Sequence, residues 1–173
     1  PEFRADLQRL LNRRAGTQRL WLEVAESGAL SHFDAFKALC ADLRGVGCKL
    51  GLEHFGRQFS EIGRLHDLGL DYLKVDGSFV RGLDGNAGNQ AFLKGLSTIA
   101  HSIGLKVIAE GVENNAQLAF LREQGCDLVQ GFMFSKPLPG NEIEQLFRNL
   151  GIYQDEYQAA LPLSMQTDYT EVV

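Results

Sequence analysis

Glu53 and His54 stand side by side after the apolar-rich run Cys48–Leu52, in the stretch GLEHFGRQFSEI. A carboxylate next to an imidazole can hold a cation or be an ordinary polar pair, and a preceding strand would fix where both point. Similar groups recur along the chain. Glu23 and Glu26 fall at the end of LWLEV, Lys74 and Asp76 flank Val75, Glu110 and Glu113 flank Gly111-Val112, and Gln130 follows Leu128-Val129. A lysine between Leu73 and Val75 is poorly placed for solvent, so Lys74 suits a phosphate contact or an ion pair with a carboxylate inside a polar pocket. Taken singly, each of these groups also reads as a solvated strand end. Glu53-His54 alone leaves open an ordinary polar pair or one transition ion, and Glu110-Gly111 alone leaves open a simple turn.

The elements that must position these groups alternate. Phe3, Leu7, Leu10 and Leu11 recur at helical spacing up to Gly16, and Phe33, Phe36, Leu39, Cys40 and Leu43 form a second helical stripe ended by Gly45 and Gly47. Strands are expected at 20–24, 48–52, 72–75, 106–109 and 128–130, and further helices at 60–68, 90–103, 115–124 and 141–150. Gly69, Gly104, Gly125 and Gly151 stand at the ends of those helices. Strand followed by helix, repeated about five times, is the pattern of a parallel α/β sheet. An eight-unit barrel takes about 250 residues, so this chain fits only its C-terminal part. An open five-stranded sheet is the alternative. Polar residues at the end of every strand favour the barrel, because an open doubly wound sheet gathers its ligand at one switch point.

The bulk properties narrow the function. The chain has 173 residues, 45% of them hydrophobic, which suits one sizeable core. A net charge of −5 argues against general affinity for DNA, RNA or anionic membrane surfaces. Cys40, Cys48 and Cys126 are widely spaced and read as reduced thiols. No apolar run reaches the roughly 20 residues of a membrane-spanning helix, and Pro1–Arg4 does not have a signal-peptide layout. Phe59 reads equally as core filler or as an exposed ring for interaction or guanine packing. Lys136-Pro137 reads as a pocket rim or a rigid turn, and Arg4, Arg9, Arg13 and Arg14 as a solvated helix face.

LWLEVAES, LKVDGSFV, VIAEGVE and QGFMFSKPLP, in that order, resemble the EAL family of cyclic-di-GMP phosphodiesterases. The resemblance runs from about Leu20 to Leu150. It implies a modified TIM barrel, of which residues 1–151 would be a partial EAL domain lacking the early strands and the EAL tripeptide, with residues 152–173 a polar tail. In active members, two Mg²⁺ or Mn²⁺ ions activate a water that opens one phosphodiester. The resemblance places Glu23 at a metal-ligand position, Lys74 and Asp76 near the reacting phosphate, and Glu110 at water activation. It also places Glu113 on the nucleotide side, Gln130 at the floor, and Glu26 where it steadies the loop after the next strand.

Glu53-His54 stands where active members carry paired Asp, and Arg57-Gln58 where they carry small residues. An imidazole lacks the charge and the second oxygen of a bridging carboxylate, and Glu moves its oxygens outward by one methylene. Glu23, Glu53 and His54 are therefore expected to be a degenerate metal site, with no metal and no working catalytic residue among Glu23, Lys74 and Glu110. The expected protein is not an enzyme but a cyclic-di-GMP receptor that needs no cofactor, with Lys74, Asp76, Glu110, Glu113, Gln130 and Phe59 contacting the ligand. Among such receptors it looks most like the LapD type. That likeness implies a cytoplasmic domain of an inner-membrane protein that signals by conformational change or as a homodimer, alongside other domains of a longer membrane-anchored chain. The alternatives are an active Mg²⁺- or Mn²⁺-dependent phosphodiesterase with an altered metal site, or an interaction scaffold without nucleotide.

Overall fold

The computed structural model describes residues 2–13, 17 and 20–149. The elements are α1 (Glu2–Asn12), β1 (Trp21–Ala25), α2 (Glu26–Ser31), α3 (Phe33–Gly45), β2 (Lys49–Phe55), β3 (Tyr72–Val75), α4 (Ala87–Ser102), β4 (Lys106–Ala109), α5 (Asn115–Glu123), β5 (Leu128–Val129) and α6 (Gly140–Asn149). A long 3₁₀ helix (Phe59–Leu68) joins β2 to β3, and a short one (Leu83–Gly85) precedes α4. The expected ends at Gly16, Leu150 and Gly151, together with Arg14 and the tail 152–173, lie outside the described residues.

All five strands are parallel and ordered β1-β2-β3-β4-β5. Strands adjacent in space in the order they occur in sequence form an arc of a barrel, whereas a doubly wound sheet would reverse order at a switch point. The register assigns the two faces. Leu50, Leu52, Leu73, Val75, Val107, Ala109 and Val129 share the outer face and belong to the main core with Phe36, Cys40 and Leu43 of α3, Leu93 and Leu96 of α4, and Leu121 of α5. The inner face carries Trp21, Glu23, Gly51, Glu53, Tyr72, Lys74, Ile108 and Leu128 in register. Its apolar members Tyr72, Ile108 and Leu128, with Trp21 against them, form a separate small cluster below the polar groups.

One device sets the register twice. Asp71 accepts from the backbone N–H of Leu50 at 2.9 Å and from Lys49 Nζ at 2.6 Å, while Asp127 accepts from the N–H of Val107 at 2.7 Å and faces His101 Nε2 at 2.7 Å. Each Asp follows a left-handed glycine, Gly69 or Gly125, that ends the preceding helical segment. Its carboxylate ties the start of its own strand to the neighbouring one. The three cysteines are buried free thiols.

The structure departs from the expected elements in two places that matter. The helix expected over 60–68 is of the 3₁₀ type, which rises more steeply per residue and carries Ile62, Leu65 and Leu68 into the core. Strand β2 runs to Phe55, three residues past the expected end, so Glu53 and His54 lie within a strand and not after it.

Candidate functional site

A β-bulge shapes the site. Leu52 pairs with Leu73 and Phe55 with Val75, so Glu53 and His54 together face the single residue Lys74. The extra residue returns Phe55 to the outer face, where it is fully buried in the main core. Its backbone cost appears at His54, whose φ of 54° is in the left-handed region and is the only such value at a non-glycine among the described residues. The bulge keeps the core pattern of β2 and adds a polar group to the rim.

Lys74 lies at the centre of the cluster, 6% exposed. Its Nζ is 2.6 Å from Oε1 and 2.7 Å from Oε2 of Glu23, and 3.7 Å from Oε1 of Glu110. His54 Nδ1 lies 3.5 Å from Glu110 Oε2 and 3.6 Å from Asp76 Oδ2, with Nε2 at 3.9 Å from Glu53 Oε2. Carboxylates from three strand ends and the bulge thus surround two basic side chains. Burial raises the proton affinity of Glu110, Lys74 and His54 oppose that, and Glu23 and Glu53 reinforce it, leaving the carboxyl above its ordinary value. Hydrogen bonding by Ser78, through side chain and backbone, holds Asp76 below the usual range, helped by His54 and Arg57. Two neighbouring carboxyls are therefore pushed in opposite directions.

The support is local and polar. Glu26, 3% exposed, accepts the backbone N–H groups of Gly56, Arg57 and Gln58 at 3.1, 3.2 and 3.1 Å, fixing the loop that follows the bulge. That is the steadying role the sequence implied for Glu26. Tyr72 reaches across β2 to donate to Leu22 O at 3.3 Å and to Glu23 Oε1 at 3.5 Å. It can do so because the residue beneath its ring is Gly51, where any Cβ would overlap the ring. Buried Gln117 on α5 accepts the N–H of Glu113 at 2.8 Å and donates to Val80 O at 3.3 Å, so the loop after β4 is anchored on two sides.

The structure brings together Glu23, Glu53, His54, Lys74, Asp76 and Glu110. Gln130 leaves the adjacent β5 with a buried Oε1 that has no hydrogen-bond partner, and Glu113 is exposed on the rim. Phe59 stands apart from this cluster in its contacts, partly buried with its ring 5.4 Å from Phe92, which itself stacks on Phe79 at 4.3 Å. Its packing role is the one the structure displays. Sequence reasoning missed Tyr72, Gly51 and Gln117, for which the only signals were a glycine inside a strand, a tyrosine in the strand beside it, and a glutamine at helical core spacing.

Residues 1–137 match the family model described as "EAL domain". The chain belongs to the EAL domain family. Among curated relatives, NbdA of Pseudomonas aeruginosa, named a cyclic di-GMP phosphodiesterase, is 40% identical over 129 residues, 75% of this chain and 16% of that protein. MucR of the same organism, named a bifunctional diguanylate cyclase/cyclic di-GMP phosphodiesterase, is 31% identical over 134 residues and is matched over 20% of its length. The solved MucR phosphodiesterase in complex with c-di-GMP superposes with a TM-score of 0.69 at 31% identity, covering 73% of this chain and 51% of that one. BlrP1 of Klebsiella pneumoniae, solved with manganese and cyclic di-GMP, gives 0.70 at 31% identity, covering 79% and 35%. The EAL chain thus spans about a fifth or less of these two curated relatives.

These relatives correct one expectation. The sequence reading took the domain for no enzyme on the strength of Glu53 and His54, whereas the similarity extends over 129 residues to a protein named as a phosphodiesterase.

Proposed function

We propose that the complete domain, to which this chain contributes five strand ends, binds cyclic-di-GMP at the C-terminal rim of the sheet and hydrolyses one phosphodiester bond with an altered metal site. The observation that carries this reading is the convergence of Glu23 and Glu110 on one buried cation, the Lys74 ammonium, at 2.6 and 3.7 Å. Support comes from relatives named as cyclic di-GMP phosphodiesterases and from complexes of similar structures with the dinucleotide.

Among the described residues, no three His, Cys, Asp or Glu side chains are arranged to hold a metal ion. The donor chemistry nevertheless fits one hard divalent cation, since two carboxylates already reach a common positive charge and Gln130 has a buried, unpartnered amide oxygen. It does not fit a second ion bridged at position 54, where the imidazole has no charge to share between two cations. Glu23, Glu110 and Gln130 would hold the one ion, which supplies positive charge and acidifies a water. Lys74 offers its N–H groups to the non-bridging phosphate oxygens. Glu110 accepts the proton of the attacking water; that oxygen bonds to phosphorus, one P–O bond breaks, and the leaving oxygen is protonated from solvent. Asp76 stays ionised.

Residues 1–151 form the EAL portion in this proposal and 152–173 a separate tail. Signalling through a homodimer and through further domains of a membrane-anchored chain belongs to the same reading. No helix among the described residues is long and apolar enough to cross a membrane. Titration of the complete domain with cyclic-di-GMP, followed by analysis of the products, tests the reading: binding and formation of the linear dinucleotide are expected, and absence of binding, or binding without product, overturns it.

A further inference from the structure

The loop that follows the bulge is fixed by two independent contacts. Glu26 takes up the N–H groups of Gly56, Arg57 and Gln58 with its two carboxylate oxygens, at 3.1, 3.2 and 3.1 Å. Gly56, at φ 137°, also lies against the rings of Phe79 and Phe92, which stack on each other at 4.3 Å, and a Cβ there would overlap Phe79. The end of β3 is tied to the same place, because the N–H of Asp76 donates to Phe55 O at 3.1 Å. The backbone of Arg57 therefore has a set position near the ends of β2 and β3, while its side chain is exposed.

An exposed arginine is ordinarily a solvated charge. This guanidinium is held beside a site short of positive charge and is not spent on a neighbour. Both oxygens of Glu26 are occupied by the loop's own backbone, Asp76 Oδ1 accepts the N–H of Ser78 at 2.8 Å, and Asp76 Oδ2 faces His54 at 3.6 Å. No ion pair or hydrogen bond with a described residue engages the Arg57 guanidinium. It nonetheless lies close enough to Asp76 to help keep that carboxyl ionised. In the cluster itself, the carboxylates of Glu23, Glu53, Asp76 and Glu110 face the ammonium of Lys74 and the imidazole of His54. A phosphodiester brings further negative charge, and attack by water builds more on its non-bridging oxygens. Lys74 and a single divalent ion leave that charge undercompensated, and position 54 does not suit a second ion. A guanidinium is planar and always charged, and its fork of N–H groups matches two phosphate oxygens.

We infer that Arg57 is a catalytic residue of this site, its guanidinium donating to the non-bridging oxygens of the scissile phosphate and supplying the positive charge that a second metal ion would give. The inference rests on the proposed hydrolysis of cyclic-di-GMP and adds a residue to it. Arg57 moves no proton; it holds the charge that grows as the attacking oxygen bonds to phosphorus.

The test is steady-state hydrolysis of cyclic-di-GMP by the complete domain with Mn²⁺, comparing the unmodified protein with Arg57→Ala, Arg57→Lys and Lys94→Ala. Arg57→Ala should lower kcat about a hundredfold and change KM by less than about fivefold, the pattern of a contact that strengthens in the transition state. Arg57→Lys should retain roughly a tenth of the parental rate, since it keeps the charge and loses the fork. Lys94→Ala, which removes a charge from the exposed face of α4, should leave the rate unchanged. Millimolar guanidinium chloride should restore part of the Arg57→Ala rate, a recovery that a merely structural arginine would not show. In the Glu110→Gln background, calorimetry should show Arg57→Ala weakening the dinucleotide about threefold at low salt, with the difference closing at high salt. Because the side chain is exposed and its backbone N–H is kept, the melting temperature should not move. A kcat for Arg57→Ala within about threefold of the parent, or no recovery with guanidinium, overturns the assignment and leaves the hydrolytic site standing. No product from the unmodified domain removes the proposed hydrolysis and this assignment together.

Discussion

Glu23 on β1 and Lys74 on β3 are joined across the intervening strand by a carboxylate–ammonium contact of 2.6 Å. The bond spans β2 at its rim, with Tyr72 lying over Gly51 below it and donating toward the same carboxylate. A buried charge of this kind is costly to orphan. Lys74→Ala should remove the phosphate contact and leave Glu23 and Glu110 facing each other unpaired. Loss of cyclic-di-GMP affinity by at least about a hundredfold is expected in calorimetry, with a destabilisation of about 3 kcal/mol in urea unfolding.

Glu26 is the second point of leverage. Truncation to Ala leaves three backbone N–H groups of the loop 56–58 without their acceptor. Donors losing a charged partner cost about 1–3 kcal/mol each when they stay buried, less where the freed loop reaches water. Glu26→Ala should therefore lower stability by about 3 kcal/mol, and hydrogen exchange at Gly56, Arg57 and Gln58 should accelerate selectively. Unchanged protection at those amides would show that the carboxylate does not hold the loop.

The fold was largely legible in the chain because apolar periodicity and terminal glycines mark βα units directly. Five parallel strands were expected at nearly the observed places, and Tyr72–Val75 and Lys106–Ala109 coincide with expectation. The bulge was not legible. Glu-His-Phe reads as a strand end followed by a loop, because nothing local says that Phe55 must return to the core, and that demand comes from its tertiary neighbours. Similarly, the charges of Glu23, Lys74 and Glu110 identify a polar rim, but which pairs meet depends on Gly51 leaving room for Tyr72. A glycine within a strand signals a close approach without saying whose.

The bulge also makes a prediction about position 54. Asp tolerates the left-handed conformation better than most residues, so His54→Asp should be accepted by the backbone at φ 54°. Combined with Glu53→Asp, it restores two short carboxylates opposite Lys74. Mn²⁺-dependent turnover should rise at least about tenfold over the unmodified domain, and chelator should abolish the gain. A double variant no faster than its parent would show that the pair is not what restrains catalysis.

Gly131→Ala probes the junction of the loops that leave β4 and β5. The added methyl must displace the backbone of Val112, which carries hydrogen bonds to both Gln130 and Met133. Overpacking of this kind costs about 1–3 kcal/mol. Cyclic-di-GMP affinity should fall along with the melting temperature.

Buried acids set the alkaline limit. Burial raises the Cys126 thiol to about 12 and the Cys40 thiol to about 11, and raises the Tyr72 phenol as well. A folded-state value above the unfolded one means that stability is intact below the unfolded thiol value of about 9 and is lost as pH climbs through the folded values. The melting temperature should hold to about pH 9 and fall beyond it, and iodoacetamide at pH 8 should label none of the three cysteines until denaturant is added. Rapid labelling of native Cys126 would contradict its burial.

The most direct measurement is conversion of cyclic-di-GMP to the linear dinucleotide by the complete domain with Mn²⁺ present, resolved by chromatography. The unmodified domain should form product, and Glu110→Gln, which keeps the shape of the side chain but cannot hold the proton of the attacking water as a carboxylate does, should bind the dinucleotide and form none. Product from Glu110→Gln at the parental rate, or saturable binding by the unmodified domain without product, would contradict the account.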